Sequence, residues 1–339
     1  MFTSEHLSRL RQTTAPHLRL VVAVLGICVV SLSCSVTFLR WWTEGDTSHR
    51  ALAVRAVGPH TRALILGSSH VFASINPALM RSASMNLAAP VCSYVCAEGI
   101  LHGNLARAPA LQALVIELDV VPAFYDSLRA YQGDHRQLLE LEPDIWAMQL
   151  GARERYNLWR DDALDGSFLG PLFRFGKLTP QELMNRARGR SREDAVVSAG
   201  YANGHEIMPP TDDGPVRVRR HVREAAGIAE LPRNEAALRR MIELGLSRGL
   251  QLALVRLPHH PGYWAALPAE WQASMSDLLA RLQRDYHGKL EHWDYGVLPE
   301  ATDADYRNGD HLNDAAASRF TRRFDERLLD WLAAGSASD

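Results

Sequence analysis

Two short stretches carry groups that could do chemistry together. Gly67-Ser68-Ser69-His70 follows the apolar run Ala63 to Leu66, and Asn308-Gly309-Asp310-His311-Leu312-Asn313 lies far along the chain. A serine hydroxyl is a weak nucleophile until a neighbouring base takes its proton, and neutral imidazole titrates near the pH where that base must work. A short apolar run ending in Gly reads as a buried parallel strand. The serines then sit on the turn at its carboxyl end, the edge where open α/β sheets bind ligands. Read alone, Gly-Ser-Ser is better taken as an ordinary strand-to-helix turn with a serine N-cap. Paired with the late histidine it points to an activated hydroxyl.

Other polar groups compete for attention. His70 directly follows the serines and reads either as a substrate contact or as an exposed turn histidine. His259-His260 follow a probable strand and share its edge, with Asp294 as a conceivable third ligand. Nothing there matches His-Glu-x-x-His or a comparable spacing, so neither a metal nor another cofactor is expected. Gly67-Ser68-Ser69 lacks the Lys and glycine pattern of a phosphate loop. Cys92 and Cys96 have no histidine at zinc spacing and read as two small buried residues, a disulfide within a helix being unusual.

These groups need a scaffold, and the chain is long enough to supply one. Its 339 residues fit one α/β domain plus an insertion or anchor, and a formal net charge of −2 gives no electrostatic case for nucleic acid. The basic runs 186–192 and 217–223 read as solvated faces. Residues 1–19 form a polar, basic tail, and Leu20 to Leu39 carries no charge. That length suits one transmembrane helix, 20–40, with Trp41 and Trp42 at the interface. The positive-inside rule places the N-terminus in the cytoplasm and the rest outside the inner membrane, periplasmic in a Gram-negative envelope.

A polar linker, 41–62, leads to an α/β domain at 63–335. Strands are expected at 63–69, 84–88, 110–119, 251–257 and 290–294, with helices over 92–106, 234–248, 271–287 and 314–333. Asn234 reads as a helix cap and Gly249 as the residue just past that helix. Strands alternating with helices argue for a three-layer, doubly wound parallel sheet. From about 120 to 233 the pattern lapses, and a largely helical insertion over the active edge is expected there.

The two end motifs resemble blocks I and V of the SGNH/GDSL hydrolase superfamily. The nearest variant is the membrane-anchored, DltD-like group, which carries Gly-Ser-Ser and acts on cell-envelope polymers. The resemblance makes Ser69 the nucleophile and His311 the base. It also predicts an aspartate three residues before the histidine, where this sequence has Asn308. An asparagine can hold an imidazole tautomer but brings no charge, so Asp310 or Asp305 becomes an alternative acid. Asp310, next to His311, needs an unusual backbone to reach its ring.

Around the reacting carbonyl, the resemblance draws His70, Asn86 and Asp119 toward the oxyanion or substrate, and their place at the same edge adds Ser68, His259 and His260. It implies a membrane-tethered serine esterase or O-acyltransferase acting on an exported polysaccharide or cell-wall polymer, with a multi-spanning membrane O-acyltransferase as partner. The alternative is a catalytically impaired envelope component that binds a glycan or that partner. No Gly-x-Ser-x-Gly elbow supports a different esterase fold.

Overall fold

The structure is a computed structural model that describes residues 56–127, 195–198 and 201–336, all within one compact unit of the chain. In chain order these form β1 (Ala63–Leu66), α1 (Ser69–Ser74), β2 (Ser84–Asn86), α2 (Tyr94–Asn104), β3 (Ala113–Glu117) and α3 (Val120–Phe124). Next come β4 (Ala195–Ser198), β5 (Tyr201–Gly204), α4 (Gly214–Glu224), α5 (Leu231–Ser247) and β6 (Gln251–Arg256). The last described elements are α6 (Pro261–Ala266), α7 (Ala269–Asp285), β7 (Glu291–Asp294), β8 (Tyr306–Asn308), β9 (His311–Leu312) and α8 (Asp314–Ser336).

Five of the strands make one parallel sheet in the order β2-β1-β3-β6-β7. Every residue of β1 and β3 is buried, which is why both read as unbroken apolar runs rather than alternating ones. Alternate residues serve opposite layers. Ile65, Val115, Ala253 and Val255 join Val71 and Ile75 of α1 and Phe320, Phe324, Leu328 and Leu332 of α8 in one core cluster. Each of the larger side chains among them, fully buried, contributes about 1.5–3 kcal/mol. Helices α2, α5 and α7 bring Ile100, Leu238, Met241 and Leu278, all buried. The order of strands leaves the β1, β3 and β6 carboxyl ends side by side, and the loops that follow them carry the polar groups of interest.

Several local expectations change. Asn234 is not a cap: α5 begins three residues earlier, and the buried Asn234 amide donates to the Ala123 and Tyr125 carbonyls. It therefore ties α5 to α3. Gly249 does terminate that helix, in the left-handed conformation (φ 69°) that favours glycine. Cys92 and Cys96 are buried but bridged, with Cα atoms 5.4 Å apart. The bridge fits because Cys92 precedes the N-cap Ser93, outside the helix proper.

The apolar segment 20–40 and residues 128–194 of the expected insertion lie outside the described residues. Among the described residues no helix is long and apolar enough to cross a membrane. The described part of the insertion is not wholly helical, since β4 and β5 form an antiparallel pair.

Candidate functional site

The site is organised around His70. The first turn of α1 starts immediately after β1, so residue 70 points back into the sheet edge and is fully buried. Its Nδ1 lies 2.9 Å from Glu117 Oε1, at the carboxyl end of β3. Glu117 also accepts hydrogen bonds from the Ser68 backbone N–H and, at 2.9 Å, from the Ser68 hydroxyl. Gly67 is required for this contact. A Cβ there would overlap the Glu117 carboxylate and Val71. Ser68 is thus the N-cap of α1, while Ser69, the first residue of the helix, is partly exposed.

The other side of His70 faces the β8–β9 hairpin. Asn308 pairs with His311 across a two-residue turn, Gly309-Asp310. Asn308 Oδ1 accepts from the backbone N–H of Asp310 and His311 and lies 3.0 Å from His311 Nδ1. The turn also folds the Asp310 carboxylate back, so that Oδ1 sits 2.7 Å from the same ring nitrogen. The unusual backbone that Asp310 needs to reach that ring is supplied by the hairpin turn. Gly309 permits it, because a Cβ would strike the backbone of Asp213 and Gly214 at the start of α4.

Helix α4 lies against this turn and brings two basic side chains to it. Arg217 makes a two-point contact with Asp310, at 2.7 and 3.1 Å, and His221 Nε2 lies 3.1 Å from Asp310 Oδ2. The run 217–223 is therefore not simply a solvated face: Arg219, Arg220 and Arg223 point outward while Arg217 and His221 turn in. Such spacing, two groups four apart on one helix, was readable as a second face.

The third part of the site comes from the loops after β3 and β6. Asp119 caps α3 through Oδ1, which accepts from Val120 N–H at 2.6 Å. Its Oδ2 is buried, 3.3 Å from His259 Nε2 and 3.8 Å from His70 Nδ1. His259 Nδ1 lies 2.9 Å from the Leu257 carbonyl, and its ring stacks on Tyr263 at 4.7 Å. The adjacent His260 points elsewhere, capping α6 and contacting Asp303. Asp294 pairs with Arg256, so the doublet does not act with that carboxylate.

Burial and charge oppose each other here. Burial alone would lower the His70 pKa, but Asp310, Glu117 and Asp119 outweigh it and raise it to about 10. His259 moves the other way, to about 4, because burial outweighs the Asp119 charge. His311 falls to about 3 for the same reason, burial exceeding the pull of Asp310, and stays neutral. Burial would raise Asp310, yet the ring N–H groups of His311, His221 and His70 that face it hold it well below the usual carboxylate range. His311 is thus a neutral imidazole beside an anionic carboxylate, and a pKa so far below neutrality makes it a weak base in this state.

Of the residues the sequence singled out, Ser68, His70, Asp119, His259, Asn308, Asp310 and His311 converge on this edge. Ser69 borders it, but none of the hydrogen bonds of His311 reaches Ser69. Asn86 is engaged in structure, its amide donating to the Val71 and Ile75 carbonyls. Asp305 caps a short turn with Thr302 and pairs with Arg319, away from the imidazole. Sequence reasoning missed Glu117, Arg217, His221 and Tyr263. A carboxylate inside the otherwise apolar run ALVIE was the readable signal for the first. The sequence matches no protein-family model and no curated protein.

Proposed function

We propose that the chain is a membrane-tethered serine acyl esterase or O-acyltransferase of the SGNH type, acting on an exported polysaccharide or cell-wall polymer. In this reading Ser69 Oγ attacks an acyl carbonyl and His311 Nε2 takes the hydroxyl proton. The same nitrogen returns it to the leaving oxygen as the tetrahedral adduct collapses to an acyl-serine. Water then releases the acid, or a sugar hydroxyl takes the acyl group, with His311 again moving the proton. The Ser69 backbone N–H would meet the developing oxyanion. A multi-spanning membrane O-acyltransferase would supply acyl groups in the transfer version.

The observation that carries this reading is the 2.7 Å contact between Asp310 Oδ1 and His311 Nδ1. It provides the carboxylate that Asn308 cannot, fixing the tautomer and stabilising the imidazolium. Asn308 then shares the same N–H as a secondary acceptor. Catalytic hydrogen bonds are often long before substrate binds, so the open Ser69–His311 contact is compatible with closure on substrate. The Cys92–Cys96 bridge supports an oxidising compartment outside the cytoplasm. That open contact equally favours the second reading, an envelope component that keeps the site for binding alone.

A fluorophosphonate probe applied to the full chain in detergent micelles, with peptide mapping, separates the two. Label on Ser69, with arylester turnover lost in Ser69→Ala, is the expected result. Equal turnover in both forms overturns the enzyme reading, and an unlabelled, inactive protein selects the binding one.

A further inference from the structure

We infer that His70, Asp119 and His259 form a binding site for a divalent cation of the zinc class, set into the carboxyl edge of the sheet. This goes beyond the acyl chemistry above and does not depend on it.

The three residues can each present a ligand atom within 4.8 Å of the others, and all three are buried. Asp119 Oδ2 and His259 Nε2 are buried without a hydrogen-bond partner, and His70 Nδ1 lies 3.8 Å from the same Asp119 oxygen. Unpartnered buried polar atoms are rare, and two that face each other beside a third possible ligand call for an occupant. The tautomers sharpen the point. His259 Nδ1 faces the Leu257 carbonyl, which can only accept, so Nδ1 carries the hydrogen and a neutral ring presents a lone pair at Nε2. That lone pair faces a carboxylate oxygen at 3.3 Å, two acceptors with nothing to share between them.

A cation resolves this arrangement. Tetrahedral zinc, with ligands at about 2.0–2.2 Å, separates neighbouring ligand atoms by about 3.4 Å. The His259–Asp119 edge already has that spacing, and a small side-chain adjustment brings in His70. Both histidines turn their other nitrogen to an acceptor, as metal ligands do: His259 Nδ1 to the Leu257 carbonyl at 2.9 Å and His70 Nε2 to Asp310 Oδ2 at 3.5 Å. Two imidazoles and one carboxylate leave a fourth position for water, the pattern of open zinc sites. Sequence motifs could not show it, because each ligand follows a different strand: β1, β3 and β6.

The test uses the full chain in detergent micelles, stripped with a chelator and titrated with Co2+, then with competing Zn2+. One equivalent of tetrahedral cobalt, displaced by one of zinc, is expected. His259→Gln and Asp119→Asn should weaken binding by about 100-fold or more, while Asp294→Asn leaves it unchanged. Thermal unfolding of each metal-free variant reports whether it folds. Wild-type protein that takes up no cobalt overturns the site, a proton shared between Asp119 and His259 then filling the gap. Binding that survives unchanged in folded His259→Gln and Asp119→Asn overturns it as well. Fluorophosphonate labelling of Ser69 is read separately, so failure of either inference leaves the other standing.

Discussion

The two ends of the same sheet each bury carboxylates, and they treat them in opposite ways. At the amino end, Asp325 of α8 accepts hydrogen bonds from the backbone N–H of Arg81 and Ser82 and from the Ser82 hydroxyl. Its donors come from the turn entering β2, so one anion closes the α8–β2 junction and nothing is left over. At the carboxyl end, Glu117, Asp119 and Asp310 crowd around His70, and Asp119 Oδ2 has no donor. Buried anions without full compensation are costly. Where a fold can satisfy a carboxylate fully, as at Asp325, one that stays unsatisfied signals a task other than stability.

The comparison can be broken most decisively at Ser69. Ser69→Ala should reduce acyl-ester turnover by roughly 10^5–10^6-fold without moving the unfolding midpoint; retained turnover would make the two ends alike. Asp310→Asn comes next, with an expected loss of about 10^3–10^4-fold in kcat, read in the same assay. A smaller loss would shift the orienting role to Asn308. At the other end, Asp325→Ala should leave turnover intact and cost about 2–4 kcal/mol in urea denaturation, since it strands buried donors. The smallest effect sharpens the contrast. In chelator-treated protein, Asp119→Asn keeps the α3 cap and removes an unpaired anion, so its stability should lie within about 1 kcal/mol of wild type, or above it. A loss as large as that of Asp325→Ala would show Asp119 to be structural too.

How much of this was legible in the sequence follows from which forces act locally. The five parallel strands were readable because burial on both faces demands continuous apolar runs such as ALIL and ALVIE. Helix ends were less so. Asn234 carries the chemistry of a cap, yet its amide is drawn inward by two carbonyls of a distant turn. Ser69 and His311 stood out by residue type and placement. Glu117 did not, because a strand residue's side chain serves whatever the neighbouring strand presents, and that partner is 47 residues away in sequence. Asp310 was nameable as an acid but its reach depended on a tight hairpin turn. Arg217 and His221 were hidden by the charged residues beside them, whose outward face dominates the local composition.

The seat of Gly309 against Asp213 and Gly214 has a practical consequence for anyone trimming this chain. Arg217 clasps Asp310 from 93 positions away, and the Gly309 N–H donates to the Asp212 carbonyl at 2.8 Å. Excising the long middle stretch up to residue 225 would spare every strand of the parallel sheet. It would also remove the strut that aims the hairpin, leaving an intact scaffold with a carboxylate free to swing away. A fragment that keeps the hairpin aimed must therefore begin its second half before Asp212 and retain α4.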